Sequence, residues 1–408
     1  MSDPVALRLL SEGLARRSGA NPCAAWDSRI DGDILVGASQ AELLHVKHQA
    51  LLRAYQMRYI LLPAEAPVRS TIEALRRHYD AGIEVELSSL RRALEQELIA
   101  PAFDAARDFA AARTLDAYVE AMLRELDQAP ENGFTAYLRT SPDSGHHYRN
   151  FLLQSSIDLL AEASASAFGV IGEFGPPQSA LFRILIDEFG YGAHARKHSV
   201  LYRALMRDFG LPENYNACWP LFDTAALTLH NTIHCLFQNP GHVFLQVGFL
   251  LFAETAYQRS TRDHFRYLSE FHPQADARYF SEHAHIDLHH SRMILDEVAR
   301  PMVATYGLEA GEEIIAGAEL TRRAFETAGG QLLAVSRAFD LAVKKGLGVF
   351  APPTVADLAP HGALVTPDSV KDLRSCGIQV GAIGRLAALQ AFDAFPAGAV
   401  GRTSGCPA

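Results

Sequence analysis

The chain is 408 residues long, 49% hydrophobic and 21% charged, enough to bury a substantial core in one main domain with accessory segments. Its formal net charge of −10 argues against nucleic acid as a partner, since neutralising phosphates takes a basic patch. Five scattered cysteines (Cys23, Cys218, Cys235, Cys376, Cys406) form no CxxC pair and read as reduced thiols. The N-terminal MSDPVALRLLSEGLARR lacks the apolar core and cleavage site of a secretory signal, and no apolar run reaches membrane-spanning length. A soluble cytoplasmic protein with no membrane partner is expected.

Residues 1–35 carry Gly, Pro and Asp without periodicity and read as a loosely ordered lead-in. Over residues 36–130 the stretches LLHVKHQALLRAYQMRYILL, IEALRRHYDAGIEVELSSLRRALEQELI and TLDAYVEAMLRELDQ repeat apolar residues at steps of three and four, the mark of amphipathic helices. These accessory helices lie outside the main bundle and need something to pack on, which makes them a candidate homodimer interface. The segment 131–147, ENGFTAYLRTSPDSGHH, reads as a turn-rich joint. A helix is expected from about Tyr148 to Ala167, and another after Pro176-Pro177, where proline suits a first turn. A third follows Gly190 and Gly192 and is ended by Gly210-Leu211-Pro212. Further helices are expected near 220–237, 242–258, 276–299 and 310–344, with Asn239-Pro240-Gly241, Pro273 and Pro301 as punctuation. Residues 346–408 turn to Gly, Pro, Ala and Ser and read as a tail. With no period-2 segment to build a sheet, the fold class is all-α, and the main domain spans 131–345.

The histidine-rich stretch YFSEHAHIDLHHSRMI cannot point all its histidines one way on a helix. Taking His283 as zero, Asp287 falls at about 40° and His290 at about −20°, together with Phe280, Ile294 and Val298. His285 and His289 fall opposite, among Arg278, Glu282, Arg292, Asp296 and Arg300. That side offers its own set, Glu282, His285 and His289, for which a solvated face of charges is the simpler account. A buried histidine pair bonded to one aspartate is the plain reading of the first face, and a metal site the sharper one. Lone carboxylates on other apolar helices favour the sharper one: Glu254 after FLQVGFLLFA, Glu188 in FRILIDEFG and Glu162 in IDLLAEASA, where an unpaired buried charge is costly. His198 shares an inward face with Tyr202, Leu205 and Phe209, but His194 competes with it. His230 and His234 form a further pair, one turn apart, able to bind metal or line a pocket. Tyr191, His194, His230 and Phe252 are candidate pocket residues by their nearness in sequence to these groups.

The series Glu188-x9-His198, Glu254, His283-x3-Asp287-x2-His290 resembles that of the heme-oxygenase-like diiron oxidase family. The phrase IDEFGYGAHARKHSVLYRALMRDFGL is especially similar to its iron-containing redox enzyme members. The likeness covers about residues 131–340. It implies a bundle of about seven helices holding two iron ions through Glu188, His198, Glu254, His283, Asp287 and His290. Members that oxygenate nitrogen recruit a further glutamate from the first core helix; Glu162 stands at that place, with Asp158 one turn away. Carboxylate and imidazole ligands without thiolate suit iron or manganese, whereas structural zinc usually brings cysteines.

The resemblance implies an O2-dependent oxygenase working through a peroxo-diferric species, with O2 as co-substrate and room for an external electron donor. N-oxygenation of an amine or guanidine on a small biosynthetic substrate is favoured by the Glu-x9-His spacing and Glu162. The alternative is oxidative C–C cleavage of an amino or fatty acid. A rival of another class is a non-catalytic or heme-binding module of the same fold, which would leave Glu188, Glu254 and Asp287 unexplained. A thiaminase-like relative would need an activated cysteine, for which Cys218 and Cys235 are the candidates.

Overall fold

The computed structural model describes residues 40–60, 81–211, 213, 215 and 222–344. The expected lead-in at 1–35 and tail at 346–408 lie outside the described residues. Among those described there are thirteen α-helices and no strand, as the sequence pattern requires. The N-terminal group is α1 (Gln40–Gln56), α2 (Ala81–Leu98), α3 (Ala100–Ala110) and α4 (Leu115–Gln128). The segment expected as a joint holds a short α5 (Gly133–Leu138), whose first turn is capped by the Asn132 side chain accepting from the Phe134 and Thr135 amides. The larger helices follow: α6 (Ser144–Leu159), α7 (Pro176–Glu188), α8 (His198–Asp208), α9 (Thr224–Gln238), α10 (Val243–Phe271) and α11 (Arg278–Met293). A short α12 (Arg300–Tyr306) and the 37-residue α13 (Leu308–Lys344) complete the order.

Three boundaries differ from expectation. Helix α6 stops at Leu159, because the apolar steps end there and Ala-Ser alternation offers no face to bury; Ala163 takes a positive φ of 64°. Helix α10 continues well past 258, burying Thr261, His264 and Leu268 at three- and four-residue steps on polar-looking sequence. Pro301 does not break the chain away from α11. A π turn over Ile294–Ala299 absorbs its missing N–H and ring, and α12 follows directly.

The most extensive packing is between α10 and α13, then α10 and α11. Gly248 and Gly317 set the first of these. A Cβ on Gly248 would collide with the Ile314 carbonyl oxygen, and one on Gly317 with that of Leu245, so the two backbones meet where no side chain fits. Apolar residues from each of α1–α4 pack within the chain: Leu51, Leu94, Phe103 and Val119 share one core with Leu236, Leu251 and Ile314. A second core gathers Leu152, Ile157, Tyr202, Leu205 and Phe280. The candidate site lies on the helices that join the two.

Candidate metal centre

Helix ends deliver two of the polar groups. Glu188 is the last residue of α7 and His198 the first of α8. The loop between them folds back tightly at Gly190, whose φ is 65° and where a Cβ would stand 2.5 Å from the Arg196 carbonyl carbon. Only glycine meets both conditions. Glu254 comes from the middle of α10, and α11 presents His283, Asp287 and His290 inward, 7%, 1% and 0% exposed. His285 and His289 face out, as helical phase requires. Glu162 does not sit on a helix, as the sequence suggested, but in the turn after α6.

These groups meet in two sets that share one carboxylate. In the first, Glu188 Oε2 is 2.6 Å from His198 Nδ1 and 3.8 Å from His283 Nε2. His283 Nε2 also lies 3.1 Å from His198 Nδ1 and 3.1 Å from Glu162 Oε1. In the second, His290 Nδ1 stands 3.6 Å from Glu188 Oε1 and 3.2 Å from Glu254 Oε2. Each set brings its donor atoms within 4.8 Å of one another, the spread a single ion can span. Asp287 is buried beside them, and its Oδ2 has no hydrogen-bond partner; neither has Glu162 Oε2, and Glu188 Oε2 lacks an aligned donor despite its nearness to His198. Buried carboxylate oxygens left without donors are costly unless a cation compensates them.

The electrostatics report the same need. Burial alone would raise Glu188, but the close approach of His198 and the charges of His198, His283 and His290 outweigh it and hold it at about 2. Burial works against a charge on His283, yet Glu162, Glu188 and Asp287 carry it well above the usual imidazole value. Burial likewise opposes His290, and Glu254 and Glu188 lift it to about 9. Asp287 is pushed well up by burial, with Glu254 and Glu188 adding to it. The carboxylates therefore draw protons onto imidazoles in place of a cation. Oxygen and nitrogen donors without thiolate fit iron or manganese.

Residues 149–326 match the sequence profile of a family described as iron-containing redox enzymes. A nitrosourea synthase of Streptomyces achromogenes subsp. streptozoticus is 34% identical over 209 residues, 51% of this chain and 44% of that protein. The match thus spans less than half of the relative's length.

The donor sets border a cavity of about 640 Å³, lined by Glu162, Glu188, Glu254, His283 and Asp287 together with apolar residues such as Leu185, Ile233 and Phe249. His230 and Phe252 line it too. His194 is exposed and takes no part in either donor set; Tyr191 is 63% exposed and borders a separate shallow pocket. His230 and His234 are buried but join neither donor set, nor does Asp158, whose Oδ2 lies 3.9 Å from His230 Nδ1. Burial pushes the Cys235 thiol up to about 12, so it is inert as a nucleophile; Cys218 lies outside the described residues.

Two residues of the site escaped the sequence reading. Asp187 Oδ2 is 3.1 Å from His290 Nε2. Tyr279 donates from its hydroxyl to Glu162 Oε1 at 2.7 Å, and its carbonyl oxygen lies 2.8 Å from His283 Nδ1. The signal for Tyr279 was present, since it lies four residues before His283 on the same helical face. Among the described residues no helix is long and apolar enough to cross a membrane.

Proposed function

We propose that the chain is a non-heme diiron, O2-dependent oxygenase that adds oxygen to an amine or guanidine nitrogen of a small substrate. The observation that carries this reading is Glu188, one buried carboxylate whose two oxygens face two separate sets of imidazole and carboxylate donors. Glu162, Glu188, His198 and His283 would hold one ion, and Glu188, Glu254 and His290 the other. Asp287 joins neither set, but its buried unpartnered oxygen would serve as a further ligand. Two iron ions held there would supply the electrons and open coordination positions that O2 activation needs.

The chain's own residues prepare those positions. His283 donates through Nδ1 to the Tyr279 carbonyl, which leaves the Nε2 lone pair facing the donors. His290 donates through Nε2 to Asp187, which leaves Nδ1 free in the same sense. Tyr279 holds one oxygen of Glu162 and keeps the other available. The apolar walls of the cavity exclude bulk water and receive the substrate's carbon skeleton.

Nitrogen is favoured as the atom oxidised because the relative is named a nitrosourea synthase, and a nitrosourea contains an oxidised nitrogen. The test is to load the full chain with Fe(II) without air, count iron, and expose it to 18O2 with a panel of amines and guanidines. About two irons per chain and substrate mass rising by labelled oxygen are expected. Loss of carbon from an amino or fatty acid instead would replace N-oxygenation with C–C cleavage, and a Soret band with heme in place of iron would end the diiron reading.

A further inference from the structure

We propose that Asp158 and His230 form a subsite that binds the cationic nitrogen group of the substrate, an alkylammonium or alkylguanidinium, beside the donor cluster. This rests on the oxygenase reading for the identity of the reaction, but the binding claim stands on the cavity itself.

Asp158, in the last turn of α6, and His230, on α9, both line the cavity. Asp158 Oδ2 and His230 Nδ1 stand 3.9 Å apart, too far for a hydrogen bond. His230 is only 7% exposed, and its Nδ1 has no hydrogen-bond partner. Burial, with some help from His234, pushes the imidazole down to about 3, so it is neutral and one of its ring nitrogens can accept. Asp158 supplies a second acceptor. A carboxylate and a neutral imidazole lining one cavity match a ligand group that offers several N–H donors and no acceptor, which is the description of ammonium and guanidinium.

The rest of the lining points the same way. Its two arginines are committed elsewhere. Arg259 donates to the Leu126 and Ala129 carbonyls at the end of α4, and Arg322 pairs with Glu319 and Glu326. An anionic group entering beside Asp158 would find both guanidinium groups already occupied and the Asp158 carboxylate opposing it. A cation meets the reverse. Burial and the neighbouring Glu162 push Asp158 up to about 7, as expected of a carboxylate waiting for its counter-charge. The wall beyond the pair, at Leu229, Ile233 and Leu250, is apolar and suits an alkyl chain.

The test measures binding by calorimetry without O2, on iron-loaded and on metal-free full-length protein, using n-butylguanidinium, the neutral isostere n-butylurea, and butyrate. Wild type should prefer the guanidinium over the urea by about tenfold or more, the scale of a hydrogen bond to a charged group, and should not bind butyrate. Asp158→Asn should abolish most of that preference while keeping wild-type iron content, and Asp158→Glu should restore part of it. His230→Phe serves as an independent variant and should weaken guanidinium binding with little effect on the urea. Equal binding of guanidinium and urea, or an unchanged preference in Asp158→Asn, overturns the subsite. Loss of iron in Asp158→Asn would make Asp158 a metal ligand and overturn it as well. A wild type that holds no iron yet keeps the preference would sink the oxygenase reading and leave the subsite standing.

Discussion

Asp187 and Glu188, neighbours at the end of α7, reach opposite nitrogens of one imidazole: Asp187 Oδ2 lies 3.1 Å from His290 Nε2, and Glu188 Oε1 lies 3.6 Å from Nδ1. The inner carboxylate belongs to the donor cluster and the outer one fixes the ring's orientation and tautomer. Outer partners of this kind typically change metal affinity by about 10- to 100-fold when lost. Asp187→Asn keeps the shape but removes the charge, so its ferrous affinity should fall within that range while its circular dichroism matches wild type. An unchanged iron titration would show that His290 needs no such support.

Sharing of Glu188 between the two sets gives a prediction about stoichiometry. Glu254→Ala removes a donor from one set only, and such a protein should retain about one iron per chain. Glu188→Ala removes a donor from both, and it should retain almost none. Iron counts after gel filtration, with Mössbauer spectra to tell a single ion from a coupled pair, separate these outcomes. Equal losses in the two variants would contradict the sharing of Glu188 between the two sets.

Much of this was legible in the sequence, and the reasons differ by residue. His283, Asp287 and His290 could be separated from His285 and His289 because helical phase is a rigid rule and α11 obeys it over its full length. The end of α6 was not legible, because Ala161–Ala167 has neither a strong breaker nor a face to bury, so Glu162 reached the cluster from a turn. The length of α10 was hidden for the opposite reason: Thr261 and His264 are polar residues serving as core. Asp187 was invisible because its role depends on the angle at which α11 crosses the end of α7, and local pattern does not encode a crossing angle.

His264 makes the acid limb of stability testable. Its ring stacks between Phe151 at 4.3 Å and Phe280 at 5.1 Å, and its Nδ1 is buried without a partner. Burial pushes it from the usual 6.5 down to about 3. Because the folded value lies below the unfolded one, the unfolded chain binds a proton that the folded chain refuses as pH drops through 6.5. Stability present at neutral pH is therefore lost between about 6.5 and about 3. His264→Phe removes this group while keeping the stack. At pH 5 the variant should lose less stability relative to pH 7.5 than wild type does, by about 2 kcal/mol. Urea melts of the metal-free protein at the two pH values measure this, and parallel losses would mean that His264 is protonated in the fold.

The α10–α13 crossing makes the sharpest stability prediction, because one helix supplies both the probe and its control. At Gly317 a Cβ would strike the Leu245 backbone, whereas at Gly329, three turns further along α13, it would meet nothing within 4 Å. Gly317→Ala must separate two backbones that cannot repack around a methyl group, so its cost should be at the upper end of the roughly 1–3 kcal/mol typical of overpacking, or beyond it. Gly329→Ala only removes backbone freedom from the unfolded chain and should stabilise by about 0.5–1 kcal/mol. Separation at Gly317 also moves the stretch of α10 that carries Glu254, so iron retention should fall along with the melting temperature. In Gly329→Ala the melting temperature should rise with iron content unchanged. If Gly317→Ala melts like wild type, the two helices do not meet as closely as their glycines require.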